Sequence, residues 1–216
     1  MTTWMKKEFE DSGYSVECPI DGLLVVKNFI TPEEIEEYKS IIANITEEQW
    51  DEWYTSQLKV FTKQKFGRED VENLVKEGLY EITSNWNDKN YSFINAEIHR
   101  RIDKRFNDVL EKTDEGLILS GFYFFQRMYD GVQLVSHHDQ NTDESIKHAA
   151  VIYINDDYNG GEIFWAKKNF EMKPAPGDLL LFGGDPEWEH GVRFVTEGPM
   201  RYVLPGFIKI PNFYKP

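Results

Sequence analysis

Val132-Gln133-Leu134-Val135-Ser136-His137-His138-Asp139 is an apolar run that ends in two imidazoles and a carboxylate. The polar loop Gln140-Asn141-Thr142-Asp143-Glu144-Ser145 follows directly. The run reads as a β-strand whose end carries chemistry. On a strand, alternate residues share a face. His137 and Asp139 can therefore point one way and His138 the other, which gives two ligands of a metal site. A third must come from elsewhere in the chain, and the best candidate is His190 in Trp188-Glu189-His190-Gly191-Val192.

The surroundings of that strand set the fold class. From Gly116 onward, short apolar segments alternate with turn signals. The spacing predicts strands over 117–129, 132–138, 148–154, 161–165, 169–173, 178–182, 190–195 and 200–209. The breaks fall at Asp130-Gly131, Asn159-Gly160-Gly161, Pro174-Ala175-Pro176-Gly177, Gly183-Gly184-Asp185-Pro186 and Glu197-Gly198-Pro199. Strands at this spacing suggest a double-sheet jelly roll or barrel.

Upstream of Gly116 the pattern is helical. Thr31, Pro32 and Glu34 form a capping-box start, predicting a helix over about 32–44. Further helices are predicted over 69–79 and 91–112, the latter with Ile94, Ile98, Ile102, Phe106 and Val109 as its apolar stripe. Leu23-Leu24-Val25-Val26 reads as a strand, and residues 1–22 as a short strand or irregular arm. His99, beside Arg100-Arg101, reads as a solvated surface histidine. Trp50, Trp53, Tyr54 and Phe61 read as rim packing. Helices first and strands second predict an α+β fold: a double-stranded β-helix (jelly roll) core with N-terminal helices packed against one sheet. One domain over 1–216 is expected, with 1–115 as mainly helical support and 116–216 as the core carrying the metal site.

Composition bounds the partners. The 216 residues are 40% hydrophobic and 15% aromatic, enough for a sizeable core. A formal charge of −14 argues against nucleic acid or an anionic membrane as the main partner. Cys18 is the single cysteine, so no intrachain disulfide or cysteine-based zinc framework is expected. The N-terminus lacks an apolar segment of signal-peptide length, and no run approaches a membrane span. The expectation is a soluble, intracellular, cytoplasmic protein.

His137, Asp139 and His190 make a two-histidine, one-carboxylate set. Such a set binds one face of an octahedral Fe(II) and leaves positions open for a co-substrate and oxygen. A structural zinc would want a fourth ligand, usually sulfur. A catalytic zinc with three ligands and a water stays open on ligand type alone. Downstream, Arg201 opens the last strand in Gly198-Pro199-Met200-Arg201-Tyr202. An arginine there could neighbour the His190 strand and hold a carboxylate bidentately. The plainer reading is a surface or edge-strand arginine.

In this order, His137-x-Asp139, His190 and Arg201-Tyr202 resemble the iron(II)- and 2-oxoglutarate-dependent oxygenases, in particular the prolyl 4-hydroxylase-like branch. Tyr129-Asp130-Gly131, Gly160-Gly161-Glu162-Ile163-Phe164, Pro176-Gly177-Asp178-Leu179-Leu180-Leu181-Phe182 and Val195-Thr196-x-Gly198 are similar to that branch's other motifs. Asn28-Phe29-Ile30-Thr31-Pro32-Glu33-Glu34 resembles its helix entry. The resemblance implies that His137, Asp139 and His190 bind Fe(II), and that Arg201 pairs with the distal carboxylate of 2-oxoglutarate. It implies that Tyr129 and Tyr153 donate hydroxyls near that co-substrate, with strand packing as the plainer reading of both. It also implies oxidative decarboxylation of 2-oxoglutarate to succinate with hydroxylation of a C–H bond by molecular oxygen. Asp139 favours hydroxylation, since halogenases of the superfamily lack the carboxylate. Ascorbate is a further candidate cofactor.

The chain departs from the pattern at His138, read as a bystander, and at Pro205, where many relatives carry a hydroxyl or other small residue. His148 reads as structural or rim. Arg193 is a rival to Arg201. Trp165, Trp188 and the loop 140–147 could line the mouth of a substrate site, or the tryptophans could simply pack. The expected substrate is a peptide, with peptidyl proline first. The alternatives are hydroxylation of a free amino acid or other small molecule, and a non-catalytic jelly-roll metal-binding module.

Overall fold

Met5 and Phe9 lie four residues apart and bury one face of helix α1 (Thr3–Asp11). In the computed structural model this helix replaces the strand or irregular arm expected over residues 1–22. Its apolar stripe is only two residues wide, too short for a periodicity signal. The structure describes residues 3–46, 51–52, 89–92, 97–113, 116–119, 122, 124–211 and 213. The expected helix 69–79 and the aromatic positions Trp50, Trp53, Tyr54 and Phe61 lie outside the described residues.

Helix α2 (Pro32–Ala43) starts as its sequence requires. Thr31 caps it, and the Glu34 side chain accepts from the Thr31 backbone N–H at 2.9 Å. Glu34 also receives both ends of the Arg105 guanidinium, at 2.7 and 2.8 Å, tying α2 to helix α3 (Glu97–Leu110). The stripe Ile98, Ile102, Phe106 and Val109 is buried. This helix starts later than the expected residue 91, because Lys89–Ser92 forms a strand. His99 is not a surface residue: it is 4% exposed, and its Nδ1 lies 3.1 Å from the Tyr38 hydroxyl. Burial pushes its pKa down to about 4. Its stripe position one residue past Ile98 places it at the helix–sheet seam.

The strands are β1 (Val16–Glu17), β2 (Leu24–Val26), β3 (Asp51–Glu52), β4 (Lys89–Ser92), β5 (Ile118–Leu119), β6 (Phe124–Met128), β7 (Leu134–His137), β8 (Ile146–Tyr153), β9 (Asn159–Gly160), β10 (Ile163–Trp165), β11 (Phe170–Met172), β12 (Leu179–Gly183), β13 (His190–Val192), β14 (Val195–Thr196) and β15 (Arg201–Lys209). Among the described residues, the larger sheet runs β1-β2-β12-β8-β15-β6-β4-β3, with β5 also on β15. The smaller sheet runs β11-β10-β13-β7, and β14 pairs with β9. The expected strand 190–195 is thus two strands in different sheets, and 117–129 divides into β5 and β6.

Strand alternation sorts the larger sheet's side chains into two cores. Leu24, Val26, Ala150, Ile152, Leu179, Leu181, Leu204 and Ile208 pack with Met5, Phe9, Tyr38 and the α3 stripe. Val25, Ala149, Tyr153, Leu180, Phe182 and Val203 pack on Ile163 and Trp165 of the smaller sheet. The fold is α+β with a jelly-roll core and helices against one sheet, as expected. The unbroken run Leu179-Leu180-Leu181-Phe182 is apolar throughout because both its faces are covered. Asp178, 1% exposed, holds the turn before it by accepting from the Asn28 and Ala175 amides and from Lys27. Trp188 lies over Gly22 and Gly183, where any Cβ would strike its indole. No described helix is long and apolar enough to cross a membrane.

Candidate metal centre and co-substrate pocket

β7 and β13 pair antiparallel with His137 opposite His190. The next partners are Leu134 and Val192, so Val135 and Ser136 together oppose Gly191: a β-bulge sits beside the two histidines. Glycine is required at 191. A Cβ there would come within 2.5 Å of the Leu134 carbonyl oxygen and 2.7 Å of the Phe164 ring. Directly paired, the His137 and His190 rings have centroids 4.5 Å apart.

β7 ends at His137, and Asp139 opens a 3-10 turn (Asp139–Asn141). His138 keeps extended backbone, φ −123° and ψ 146°, so strand alternation runs one residue further. Asp139 returns to the His137 side, with Oδ1 3.7 Å from His137 Nε2. His137, Asp139 and His190 offer ligand atoms that all lie within 4.8 Å of one another. Among the described residues they form the only such cluster. His138 stays outside it, and Cys18 is exposed and elsewhere.

Both imidazoles are oriented in the same way. His137 Nδ1 lies 2.9 Å from the Val135 carbonyl oxygen, and His190 Nδ1 lies 3.0 Å from that of Trp188. A carbonyl only accepts, so each Nδ1 carries the proton and each Nε2 presents a lone pair. Burial pushes the pKa of both histidines down to about 4, keeping them neutral. Burial raises Asp139 to about 6, against the opposing pull of His137 and His138. Asp139 is 7% exposed, and its Oδ2 is buried without a hydrogen-bond partner. An edge-on contact with Phe182 at 4.6 Å further shields His190. Two imidazole lone pairs and an unpartnered buried carboxylate oxygen fit a divalent cation with nitrogen and oxygen ligands, of which Fe(II) is one.

Arg201 opens β15 opposite Met128 of β6. It lies in the larger sheet, between β8 and β6, and does not neighbour the His190 strand as the sequence reading allowed. It is not a surface arginine: it is 1% exposed. Its Nη2 donates to the Tyr153 hydroxyl at 3.0 Å, its Nη1 contacts Met128 Sδ at 3.4 Å, and its Nε has no partner. A buried guanidinium held by a phenol and a thioether, without a carboxylate, is short of an anion. Tyr153 is fully buried at the end of β8. Tyr129 is half-buried and packs on a cluster that joins Met128 to Leu134 of β7 and Val192 of β13.

Sequence reasoning passed over Tyr158. It is 1% exposed, its hydroxyl is buried without a partner, and it lies within the electrostatic reach of Arg201. Its one sequence signal is Gly161, where a Cβ would come within 2.9 Å of the Tyr158 ring. His148 is a buried strand residue, 2% exposed. Trp165 and Trp188 are buried packing residues, at 0% and 6% exposure. Arg193 is exposed, pairs with Glu171 at 2.9 Å and lies 4.1 Å over the Phe164 ring.

Residues 123–209 match the family described as the 2OG-Fe(II) oxygenase superfamily. This segment holds all three clustered ligands, Arg201 and the three tyrosines. The family's chemistry uses Fe(II) and 2-oxoglutarate. The fold is similar to solved prolyl hydroxylases. A Trichoplax adhaerens prolyl hydroxylase, in complex with a hypoxia inducible factor oxygen degradation domain peptide fragment, matches at TM-score 0.67 and 16% identity, over 97% of this chain and 94% of that one. A viral collagen prolyl hydroxylase from Paramecium Bursaria Chlorella virus-1, in a 2OG complex, matches at 0.60 and 14%, over 89% and 98%. A Pseudomonas putida prolyl-4-hydroxylase matches at 0.57 and 15%, over 95% and 98%. No curated protein sequence matches the chain.

Proposed function

We propose that the protein is a hydroxylase, working as one domain, that couples oxidative decarboxylation of 2-oxoglutarate to hydroxylation of a peptidyl proline. The balance is one C–H substrate, one 2-oxoglutarate and one O2 giving the C–OH product, succinate and CO2. His137, Asp139 and His190 hold Fe(II), which when bound supplies the activation of oxygen. Asp139 provides the charge that the two neutral imidazoles lack. Arg201 takes the distal carboxylate of 2-oxoglutarate, with Tyr153 held against it and Tyr129 flanking.

The observation that carries this reading is the cluster of three ligand atoms within 4.8 Å, with Asp139 Oδ2 buried and unpartnered. The anion-deficient Arg201 supports a carboxylate co-substrate. The peptide in the Trichoplax complex supports a peptide substrate, and the charge of −14 favours a neutral or basic one. Succinate release across a panel of proline-containing peptides, other peptides and free amino acids tests the reading. Release with a proline peptide and none with free proline is expected. Release with free amino acids alone overturns the peptide assignment.

A further inference from the structure

We propose that Tyr158 is a second hydroxyl donor of the pocket around Arg201, and that it sets the affinity of that pocket for the distal carboxylate of a 2-oxo dicarboxylic acid. This rests on Arg201 being the co-substrate anchor.

The argument begins on β15. Alternate residues share a face, so Arg201, Val203 and Pro205 look the same way. Val203 sits in the inter-sheet core, opposite Tyr153 in register, and Pro205 follows opposite Val151. Neither side chain has a hydrogen-bond donor. Any further donor to an anion held by Arg201 must therefore come from outside β15. Tyr153 supplies one hydroxyl, which accepts from Arg201 Nη2 at 3.0 Å and keeps its own proton to donate.

Two polar groups at this place are buried and unsatisfied: Arg201 Nε and the Tyr158 hydroxyl. Met128 joins the two: its Sδ lies 3.4 Å from Arg201 Nη1, and it shares a buried cluster with Tyr158. Burial holds the Tyr158 hydroxyl protonated, against the opposing pull of Arg201, so it is a donor. Two unsatisfied buried donors in one place call for an acceptor that serves both. A carboxylate, with two oxygens and several lone pairs, does so. The position of the hydroxyl is fixed by the ring. Gly161 lies against one part of it, and Lys173 Nζ lies 4.3 Å from the ring centroid.

The test is ligand binding by Fe(II)-loaded protein without oxygen, followed by tryptophan fluorescence and melting temperature. Two probes are used: 2-oxoglutarate, and 2-oxopentanoate, which has the same chain length and no distal carboxylate. Tyr158→Phe keeps the ring and removes an unpartnered hydroxyl, so ligand-free melting is expected to be no lower than wild type. The dissociation constant for 2-oxoglutarate is expected to rise about tenfold, the scale of one hydrogen bond to a charged group. That for 2-oxopentanoate is expected to stay within about twofold. An unchanged constant for 2-oxoglutarate overturns the role of Tyr158 and leaves Arg201 as the anchor. Equal losses for both probes also overturn it, since a merely structural change weakens both. Wild-type protein that does not bind 2-oxoglutarate overturns the anchor itself.

Discussion

His137 and His190 face each other across the β7–β13 pair, each with Nδ1 on the carbonyl oxygen of the residue two places before it. Each Nδ1 is thus held by a backbone carbonyl just upstream in the chain. The two rings' lone pairs converge because directly opposed residues share a face, beside the bulge at Val135-Ser136.

That bulge depends on Gly191. In Gly191→Ala, the new methyl meets the Leu134 carbonyl and the Phe164 ring, and the strands must separate. A loss of about 1–3 kcal/mol is expected, read as a lower denaturant midpoint. Metal affinity should fall with it, because the two rings sit on the displaced strands.

Asp139 carries a stability cost that a metal relieves. Asp139→Asn keeps the shape and removes a buried, partly unpartnered carboxylate. Without metal, melting should rise by roughly 2–8 °C, from about 1–2 kcal/mol. Fe(II) binding and succinate release should be lost. A variant that melts lower than wild type and still binds Fe(II) contradicts the site.

Arg201 is the matching case for an anion. Arg201→Met fills similar volume without charge, so 2-oxoglutarate binding should weaken about 100-fold or more while ligand-free stability changes little. Titration with 2-oxoglutarate and a thermal melt together check both halves. Arg201→Lys should recover only part of the binding, since an ammonium cannot form the two-pronged contact.

His99 predicts an acid-sensitive fold. Its pKa lies near 6.5 in the unfolded chain and about 4 when folded. Between those values the unfolded state binds more protons, so stability falls as pH drops from 6.5 toward 4. His99→Asn should flatten that dependence by up to about 1.4 kcal/mol per pH unit. Urea midpoints at several pH values measure it. An unchanged slope places the acid sensitivity elsewhere.

The fold class was legible because alternation and turn signals are local. The pairing of His137 with Asp139 was legible because His138 stays extended after the strand has ended. His190 could be nominated from residue type, but its place opposite His137 is a long-range strand pairing that no local pattern marks. Helix α1 was missed because Met5 and Phe9 make too short a stripe. His99 was misread because its neighbours Arg100 and Arg101 are polar, while its own side chain turns to Tyr38. Arg201 was found by its place in the chain, yet its neighbours Met128 and Tyr153 belong to the larger sheet. Tyr158 lacked any periodic signal, and only Gly161 hints that a ring needs space there.

The most direct measurement is the visible absorption spectrum of the protein with Fe(II) and 2-oxoglutarate in the absence of oxygen. A weak charge-transfer band in the wild-type protein, lost in His137→Ala, is the predicted result. No band in the wild-type protein, or a band that persists in His137→Ala, contradicts the account.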